Sequence, residues 1–197
     1  ERFENPFIRH SVLDISLNSV SKWKSRILPS FKDYFEKNGK IAPALTMSMA
    51  GLLAFYGAGE YSDGKIDAKR LDVEFSCDRE RIVALADHDA IYQILYNLCD
   101  NAVKFSKEGG KYKISILERD KKVYISVFNE GTGIPADELP FVFERFYKSD
   151  KSRGLNKNGT GLGLFISKTI IESHNEQIWV ESEYGKNCCF NFTLDAE

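Results

Sequence analysis

The sequence has few cysteines, little net charge and few long uncharged stretches, three features that could each have indicated a class of function. Its 197 residues contain four cysteines, Cys77, Cys99, Cys188 and Cys189, which fall at no metal-ligand spacing. Adjacent residues of a strand point to opposite faces, so Cys188 and Cys189 are poorly placed to pair with each other. We therefore expect four reduced thiols and a cytoplasmic protein.

Charge and hydropathy also exclude some classes of partner. The net charge of −2 gives no whole-chain case for nucleic acid or an anionic membrane. The polar N-terminus predicts no signal peptide. The uncharged run Ile41–Gly59 contains Pro43, Thr46 and Ser48 and lacks a flanking cluster of Lys or Arg, so it favours a buried helix over a membrane span. Any membrane attachment is expected through parts absent from this chain.

The chain divides into a helical segment, 1–65, and a second domain, 66–197. Apolar residues at mixed helical spacing predict helices over Ser11–Ile27 and Ala42–Tyr56, and Pro29 breaks the first. The stretch Gly57–Lys65 is rich in Gly, Ser and Asp and indicates the boundary. No repeat or low-complexity segment is present.

The second domain alternates between strand and helix patterns. The patterns predict helices over His88–Phe105 and Leu162–Ser173, and strands over Leu71–Ser76, Ile82–Ala86, Lys111–Leu117, Lys122–Asn129, Ile178–Glu183 and Cys189–Leu194. This order, with its hairpins, predicts an α+β fold: a two-layer sandwich of one mixed sheet with helices on one face, preceded by a short all-α segment.

The first chemical motif lies on the long helix. Asn97, Asn101 and Lys104 stand at i, i+4 and i+7 and share one helical face. Carboxamide oxygens suit Mg²⁺ and an ammonium suits phosphate, so this face is typical of a Mg-nucleotide site. A solvated polar face is the alternative.

Glycine-rich segments form two further motifs. In Asn129–Pro135, Gly131 and Gly133 allow close backbone approach to a flat ligand, although an ordinary Gly-Pro turn is the alternative. Gly159–Leu164 leads directly into a helix and offers free N–H donors to phosphate. Its spacing matches neither a dinucleotide-binding fingerprint nor a P-loop.

The fourth motif, Phe141–Tyr147, surrounds Arg145 with aromatic residues. Such aromatic residues are typical of core packing, which is the favoured interpretation. Arg145 could still face phosphate. The polar stretch Lys148–Asn158 follows and is typical of a mobile nucleotide lid.

The order and spacing of the four motifs resemble the catalytic ATP-binding domain of sensor histidine kinases, which shares the Bergerat-type ATP-binding fold with gyrase, the heat-shock chaperone ATPases and MutL. The resemblance covers about 130 residues, with Asn97–Phe105 similar to the N box, Asn129–Ile134 and Gly159–Gly163 to the two glycine boxes, and Phe143–Tyr147 to the F box. It implies ATP and Mg²⁺ as cofactors.

The resemblance also implies residue roles. Asn101 would hold Mg²⁺, Asn129 would meet the adenine amino group, and the catalytic groups would be Asn97, Lys104 and Arg145. Nucleotide contacts are further expected at Gly131, Gly133, Ile134, Phe146, Tyr147, Gly159, Thr160, Gly161, Leu162, Gly163 and Thr193.

Two asparagines refine the expected activity, one by departing from the family's pattern and one by discriminating among its relatives. The family's first glycine box usually begins with Asp, and this chain has Asn129, whose oxygen still accepts from an amine. ATPases of this fold place a Glu where this chain has Asn97. Since an amide cannot abstract a proton from water, Asn97 favours phosphoryl transfer over hydrolysis.

No histidine fits the family's phosphoacceptor pattern. His10 lacks the following acidic residue, and His88 and His174 fall at helix ends, where a structural role is expected. The resemblance therefore implies transfer of the ATP γ-phosphate to a histidine on a separate dimerisation domain, with a response regulator as the further partner. A non-catalytic ATP-sensing module is an alternative.

Residues 1–65 resemble a different family. The runs Arg2–His10, Ser16–Pro29 and Pro43–Tyr56 are similar to the C-terminal helical domain of tagaturonate reductase, an altronate oxidoreductase of the mannitol dehydrogenase family. The implied alternative function is a fragment of an NAD-dependent hexuronate reductase, with Arg9, His10 and Lys22 near a sugar acid. A surface-basic helical fragment and a kinase dimerising hairpin are the other interpretations.

Overall fold

The computed structural model describes residues 11–12, 63–78, 82–148 and 160–196. The expected helices of segment 1–65, and the runs that resemble tagaturonate reductase, lie outside the described residues except at two positions. There Ser11–Val12 forms a short strand, β1, paired antiparallel with Leu85 and Ala86. The helix predicted from Ser11 is therefore wrong at these two residues, because the free edge of the sheet offers backbone partners that a helix would not use.

Seven strands form one mixed sheet within the described residues. They are β1, β2 (Asp72–Cys77), β3 (Ala84–Ala86), β4 (Lys111–Arg119), β5 (Lys122–Glu130), β6 (Ile178–Glu183) and β7 (Asn187–Ala196). The order is β1-β3-β7-β5-β4-β2, and β6 pairs with β7 beside β3. Only β2 with β4 is parallel among these pairs.

Three helices accompany this sheet in the part of the chain that is described: α1 (Asp63–Ala68), α2 (His88–Phe105) and α3 (Gly163–Ser173), with a 3-10 turn at Leu139–Phe141. The expected two-layer α+β sandwich is confirmed. None of the described helices is long and apolar enough to cross a membrane.

The central strand β5 shows how sequence alternation sets the core. Val123, Ile125 and Val127 are buried, while the residues between them are half-buried. The next residue on the buried face is polar Asn129, which is 2% exposed. Strand β5 follows a tight turn in which Asp120 and Lys121 both have positive φ, as two-residue hairpins with the favoured twist require.

Helix α2 covers the sheet with an apolar stripe. Asp87 caps its N-terminus by accepting from the backbone N–H of Ala90 at 2.9 Å. Ile91, Ile94, Leu95, Leu98, Cys99, Ala102 and Val103 recur at helical spacing and are all buried. This stripe fixes the rotation of α2, and so it determines which residues face away from the sheet.

A lysine stabilises the C-terminal end of α2. Lys69 Nζ donates to the carbonyl oxygens of Val103, Lys104 and Ser106 at 2.9, 2.7 and 2.8 Å. Carbonyls at a helix C-terminus lack intrahelical partners and carry partial negative charge, so a partly buried cation there satisfies both needs.

His174 ends α3 in a structural role. Its Nε2 accepts from the backbone N–H of Asp87 at 3.2 Å, and its Nδ1 lies 2.8 Å from the carbonyl oxygen of Ile170. The neutral ring with its proton on Nδ1 makes both bonds. His174 therefore joins the end of α3 to the start of α2.

We expect Lys69→Met to lower the free energy of unfolding by about 2 kcal/mol, because three carbonyls lose a charged donor while the alkyl stem remains. Urea unfolding of the full chain measures this change. Lys168→Met is the matched control, since Lys168 makes only a half-exposed 3.8 Å pair with Glu172 and should cost no more than about 0.5 kcal/mol. Equal costs for the two variants would contradict the capping role.

Candidate functional site

A cavity of about 430 Å³ lies between α2, the loop after β5, the N-terminus of α3 and the turn between β6 and β7. Its size is that of a small-molecule site. Predicted site residues on its wall are Asn97, Asn101, Lys104, Asn129, Gly133, Ile134, Tyr147, Thr160, Gly161 and Gly163. The structure thus brings residues of all four sequence motifs together.

Asn97 connects α2 to the start of α3. Its Nδ2 donates to the carbonyl oxygen of Gly163 at 3.0 Å and lies 3.3 Å from Ser167 Oγ. Its Oδ1 accepts from Gln93 Nε2 at 3.2 Å. A β-carbon on Gly163 would lie only 3.3 Å from the Asn97 carboxamide, so the glycine permits this close approach. Asn97 therefore fixes where the α3 N-terminus stands relative to α2.

The N-terminus of α3 opens onto the cavity. Gly161, Gly163 and Leu164 all line the cavity. Leu162, at the N-cap, supplies no side-chain hydrogen bond, so the first-turn N–H groups are not capped by that residue. Unpaired N–H groups and the positive end of the helix dipole make this a favourable place for an anion.

The last turn of α2 brings a cation to the cavity. Lys104 Nζ forms an ion pair with the Asp100 carboxylate, and both residues line the cavity. Their side chains are 29% and 20% exposed. An anionic ligand would compete with Asp100 for Lys104, so this pair holds the ammonium close to the cavity until a ligand arrives.

Asn129 supplies a buried amide to the cavity. It lines the cavity at the end of β5, and its Nδ2 is buried without a hydrogen-bond partner among the described residues. Leaving such a donor unsatisfied costs about 1–3 kcal/mol. A cost of this size at a cavity wall indicates a ligand that accepts the bond.

The loop after β5 is shaped by glycine. Gly133 has φ +61°, and a β-carbon there would lie 2.4 Å from the carbonyl oxygen of Glu183. The backbone N–H of Ile134 donates to Ser182 Oγ at 2.8 Å, and that of Gly185 donates to the Thr132 carbonyl at 2.8 Å. These bonds hold the loop against the β6–β7 turn and form one wall of the cavity.

The aromatic motif is tied to the second glycine motif. The backbone N–H of Phe146 donates to the carbonyl oxygen of Gly161 at 3.0 Å, and Tyr147 Oη donates to Glu138 at 2.9 Å. Gly161 has φ +70°, and a β-carbon there would lie 2.9 Å from Tyr147 O. The two segments that flank the expected lid therefore lie together, while residues 149–159, including Gly159, lie outside the described residues.

Some predicted site residues lie off the cavity wall. The guanidinium of Arg145 lies over the rings of Phe146 and Phe165, with centroid distances of 5.0 and 5.9 Å. Gly131 lies against the end of α2, since a β-carbon there would lie 1.9 Å from the carbonyl oxygen of Phe105, and Leu162 is the N-cap residue of α3. The roles expected of Arg145, Phe146, Gly131 and Leu162 remain predictions.

Thr193 also lies off the cavity wall, and its expected role stays a prediction. Its Oγ1 donates to Glu176 at 2.6 Å, and it does not line the cavity. Instead Cys188, five residues earlier on β7, lies on the wall directly opposite Asn129 in the strand pairing. The pairing register of β7 decides this placement, and the local sequence does not reveal it. Burial, above all, raises the pKa of the Cys188 thiol to about 12, so the thiol stays protonated.

Other wall residues were not among the predicted site residues. Asp100, Glu138, Val142, Tyr184 and Phe190 belong to this group. The sequence could have predicted a place for Asp100 in the site, since it stands four residues before Lys104 and pairs with it on the same helical face. Tyr184 was not, because only the fold brings the β6–β7 turn to the cavity.

Part of this chain is similar in sequence to known proteins. The family model described as "Histidine kinase-, DNA gyrase B-, and HSP90-like ATPase" matches residues 86–197. Sensor histidine kinase WalK of Bacillus subtilis (strain 168) is 44% identical over 119 residues, covering 59% of this chain and 19% of WalK. Sensor protein SrrB of Staphylococcus aureus (strain NCTC 8325 / PS 47) is 42% identical over 124 residues, covering 63% of this chain and 21% of SrrB.

A solved structure of a histidine kinase catalytic domain is similar in fold to this chain. The catalytic domain of histidine kinase ThkA superposes with a TM-score of 0.64 at 30% identity, covering 77% of this chain and 93% of that domain. The chain thus matches nearly all of an isolated catalytic domain, whereas it spans only about a fifth of the length of WalK and SrrB.

We expect Gly133→Ala to lower the free energy of unfolding by about 3 kcal/mol, because a side chain at positive φ meets a backbone oxygen that cannot move cheaply. Thermal or urea unfolding measures this. Gly185→Ala is the control: it has φ +81° but nothing within 4 Å of the added carbon, so it should cost only about 1 kcal/mol. The steric interpretation is wrong if the two variants are equally stable.

Proposed function

The chain belongs to the family of histidine kinase-, DNA gyrase B- and HSP90-like ATPases through residues 86–197, and on that premise we propose that it carries the ATP-binding catalytic domain of a sensor histidine kinase. One observation carries the proposal: Asn97, Asn101 and Lys104 of α2 share a cavity with the N-terminus of α3 and with the buried amide of Asn129.

The charges of the cavity suggest how a nucleotide lies in it. Lys104 and the N-terminus of α3 both line the cavity, and both attract phosphate. Asn129, Ile134 and Phe190 line a wall with one amide and two apolar side chains, which suits a flat base. We therefore place the triphosphate between α2 and α3 and the adenine against the end of β5.

The residues present fit Mg²⁺ as a companion of the nucleotide. No group of three or more His, Cys, Asp or Glu side chains is placed to hold a metal within the described ranges. Mg²⁺ commonly takes few protein ligands and completes its shell with phosphate oxygens and water. We propose Asn101 as its protein ligand, while Asn97 stays engaged with Gly163 and Ser167. The bound ion would supply neutralisation of phosphate charge.

The proposed reaction is a phosphoryl transfer to histidine. A neutral imidazole nitrogen of the acceptor forms a bond to the γ-phosphorus, and the bond from that phosphorus to the β,γ-bridging oxygen breaks. The electron pair leaves with ADP, and the ring's other N–H proton passes to solvent or a nearby base. This chain's residues bind and orient the phosphates, which supplies much of the catalysis of such transfers.

The position of Asn97 supports transfer over hydrolysis. An amide has no basic site for a water proton, and its Nδ2 is already bonded to the α3 N-terminus. Of the acidic residues on the cavity wall, Asp100 is paired with Lys104 and Glu138 accepts from Tyr147.

The acceptor histidine is proposed to belong to a separate dimerisation domain. His174 has a structural role between α2 and α3. His10 and the side chain of His88 lie outside the described residues. A response regulator would receive the phosphoryl group from that domain, and the reaction would take place in the cytoplasm, where ATP is available.

The domain boundary near residue 65 is part of the proposal. Ile66 of α1 is buried in the core and Lys69 caps α2, which supports a catalytic domain beginning at about residue 66. The hexuronate reductase alternative depends on runs outside the described residues and stays a prediction. A non-catalytic ATP-sensing module would differ from the kinase only in that it does not transfer the phosphoryl group.

We expect Asn101→Ala to weaken Mg-ADP binding about tenfold or more, because the nucleotide-bound ion loses its protein oxygen. Isothermal titration with and without EDTA measures this. The wild-type affinity should fall when EDTA removes Mg²⁺, whereas the Asn101→Ala affinity should respond little. Gln177→Ala, an exposed amide off the cavity wall, is the control and should behave as wild type. Equal Mg²⁺ dependence in Asn101→Ala would refute the assigned ligand.

Phosphotransfer tests the proposed activity itself. With γ-labelled ATP, the chain should label an added histidine-bearing dimerisation domain of a relative such as WalK and should not label itself. A variant of that domain without its acceptor histidine is the control. Tight ATP binding with no transfer to any tested dimerisation domain would favour the sensing module. Binding of NADH without ATP binding would favour the reductase fragment.

A further inference from the structure

The amide of Asn129 is held in place by the sheet around it. Strand β5 lies between β4 and β7, and Asn129 pairs with Tyr112 on one side and Cys188 on the other. It continues the buried face of Val123, Ile125 and Val127 and is itself 2% exposed. The carboxamide therefore cannot turn out to solvent, and its unpartnered Nδ2 must find its acceptor in the cavity.

The surroundings of Asn129 restrict what that acceptor can be. The wall includes Ile134, Val142 and Phe190, which offer no side-chain hydrogen bonds, and Cys188, whose thiol is only a weak donor. An apolar slot with a single amide recognises a flat ring that presents a donor and an acceptor side by side. The six-membered ring of a purine has such an edge at positions 1 and 6.

We propose that Asn129 reads the base with both atoms of its carboxamide, and that this makes the site accept 6-oxopurine as well as adenine nucleotides. The inference rests on the proposed nucleotide-binding function. With adenine, Oδ1 accepts from the 6-amino group and Nδ2 donates to ring nitrogen N1. Rotated by a half-turn about its terminal bond, the same amide donates to the 6-oxo group of hypoxanthine and accepts from N1–H.

A carboxylate at this position would lack that versatility. Two carboxylate oxygens only accept hydrogen bonds, so they can serve the 6-amino group but cannot donate to N1 or to a 6-oxo group. Asn129→Asp therefore preserves the shape of the side chain, removes the donor and adds a negative charge, and 1-deaza-ADP separates the loss of the donor from the added charge.

The first experiment compares ADP with inosine diphosphate. Titrations of the full chain with each nucleotide in MgCl₂ should give wild-type affinities within about tenfold of each other. In Asn129→Asp the preference for ADP should grow by about tenfold or more, because the carboxylate faces a 6-oxo group that it cannot pair with. A wild-type chain that rejects inosine diphosphate as strongly as Asn129→Asp does would overturn the inference.

The second experiment needs no folded variant. The ligand 1-deaza-ADP has C–H in place of N1 and so removes the proposed acceptor of Nδ2. Wild type should bind it about tenfold more weakly than ADP. Equal affinities would overturn the base-reading role while leaving ADP binding, and with it the proposed function, intact. Failure to bind ADP at all would overturn both.

Discussion

The hydrogen bonds of Asn97 are the interaction on which the rest of the site depends. They join Nδ2 to the carbonyl oxygen of Gly163 and to Ser167, across 66 residues of sequence in the first case. Helix α2 is oriented by its apolar stripe on the sheet, and α3 is oriented on α2 through this contact. The position of α3 determines where its own N-terminus, the second glycine motif and the backbone of Phe143–Tyr147 lie. This one amide therefore sets the width of the cavity at its phosphate end.

Two asparagines show how the same side chain serves two purposes. Asn97 uses its donor within the protein and thereby fixes geometry. Asn129 keeps its donor without a protein partner in a buried position, at a cost in stability of about 1–3 kcal/mol unless an acceptor enters the cavity. Ligand-binding sites commonly contain residues that do not favour folding, and a polar residue at the end of an otherwise apolar strand face is one of them.

The sequence predicted the elements far better than the contacts between them. The bounds of α2 were predicted correctly because its apolar period is strong and Asp87 provides a cap. The alternation of β5 likewise gave its buried face. The position of Cys188 on the cavity wall follows from the register between β5 and β7, which no local pattern encodes. The capping of α2 by Lys69 was missed for a related reason, since its partners lie about 35 residues away.

The central claim is that one cavity holds a Mg-nucleotide with its phosphates between α2 and α3 and its base at Asn129. A crystal structure of the chain with Mg-ADP tests it most directly. The account predicts the diphosphate beside Asn101 and the Gly161–Gly163 backbone, with the purine edge against the carboxamide of Asn129. Nucleotide density outside the cavity, or with the phosphates at Asn129, would contradict it.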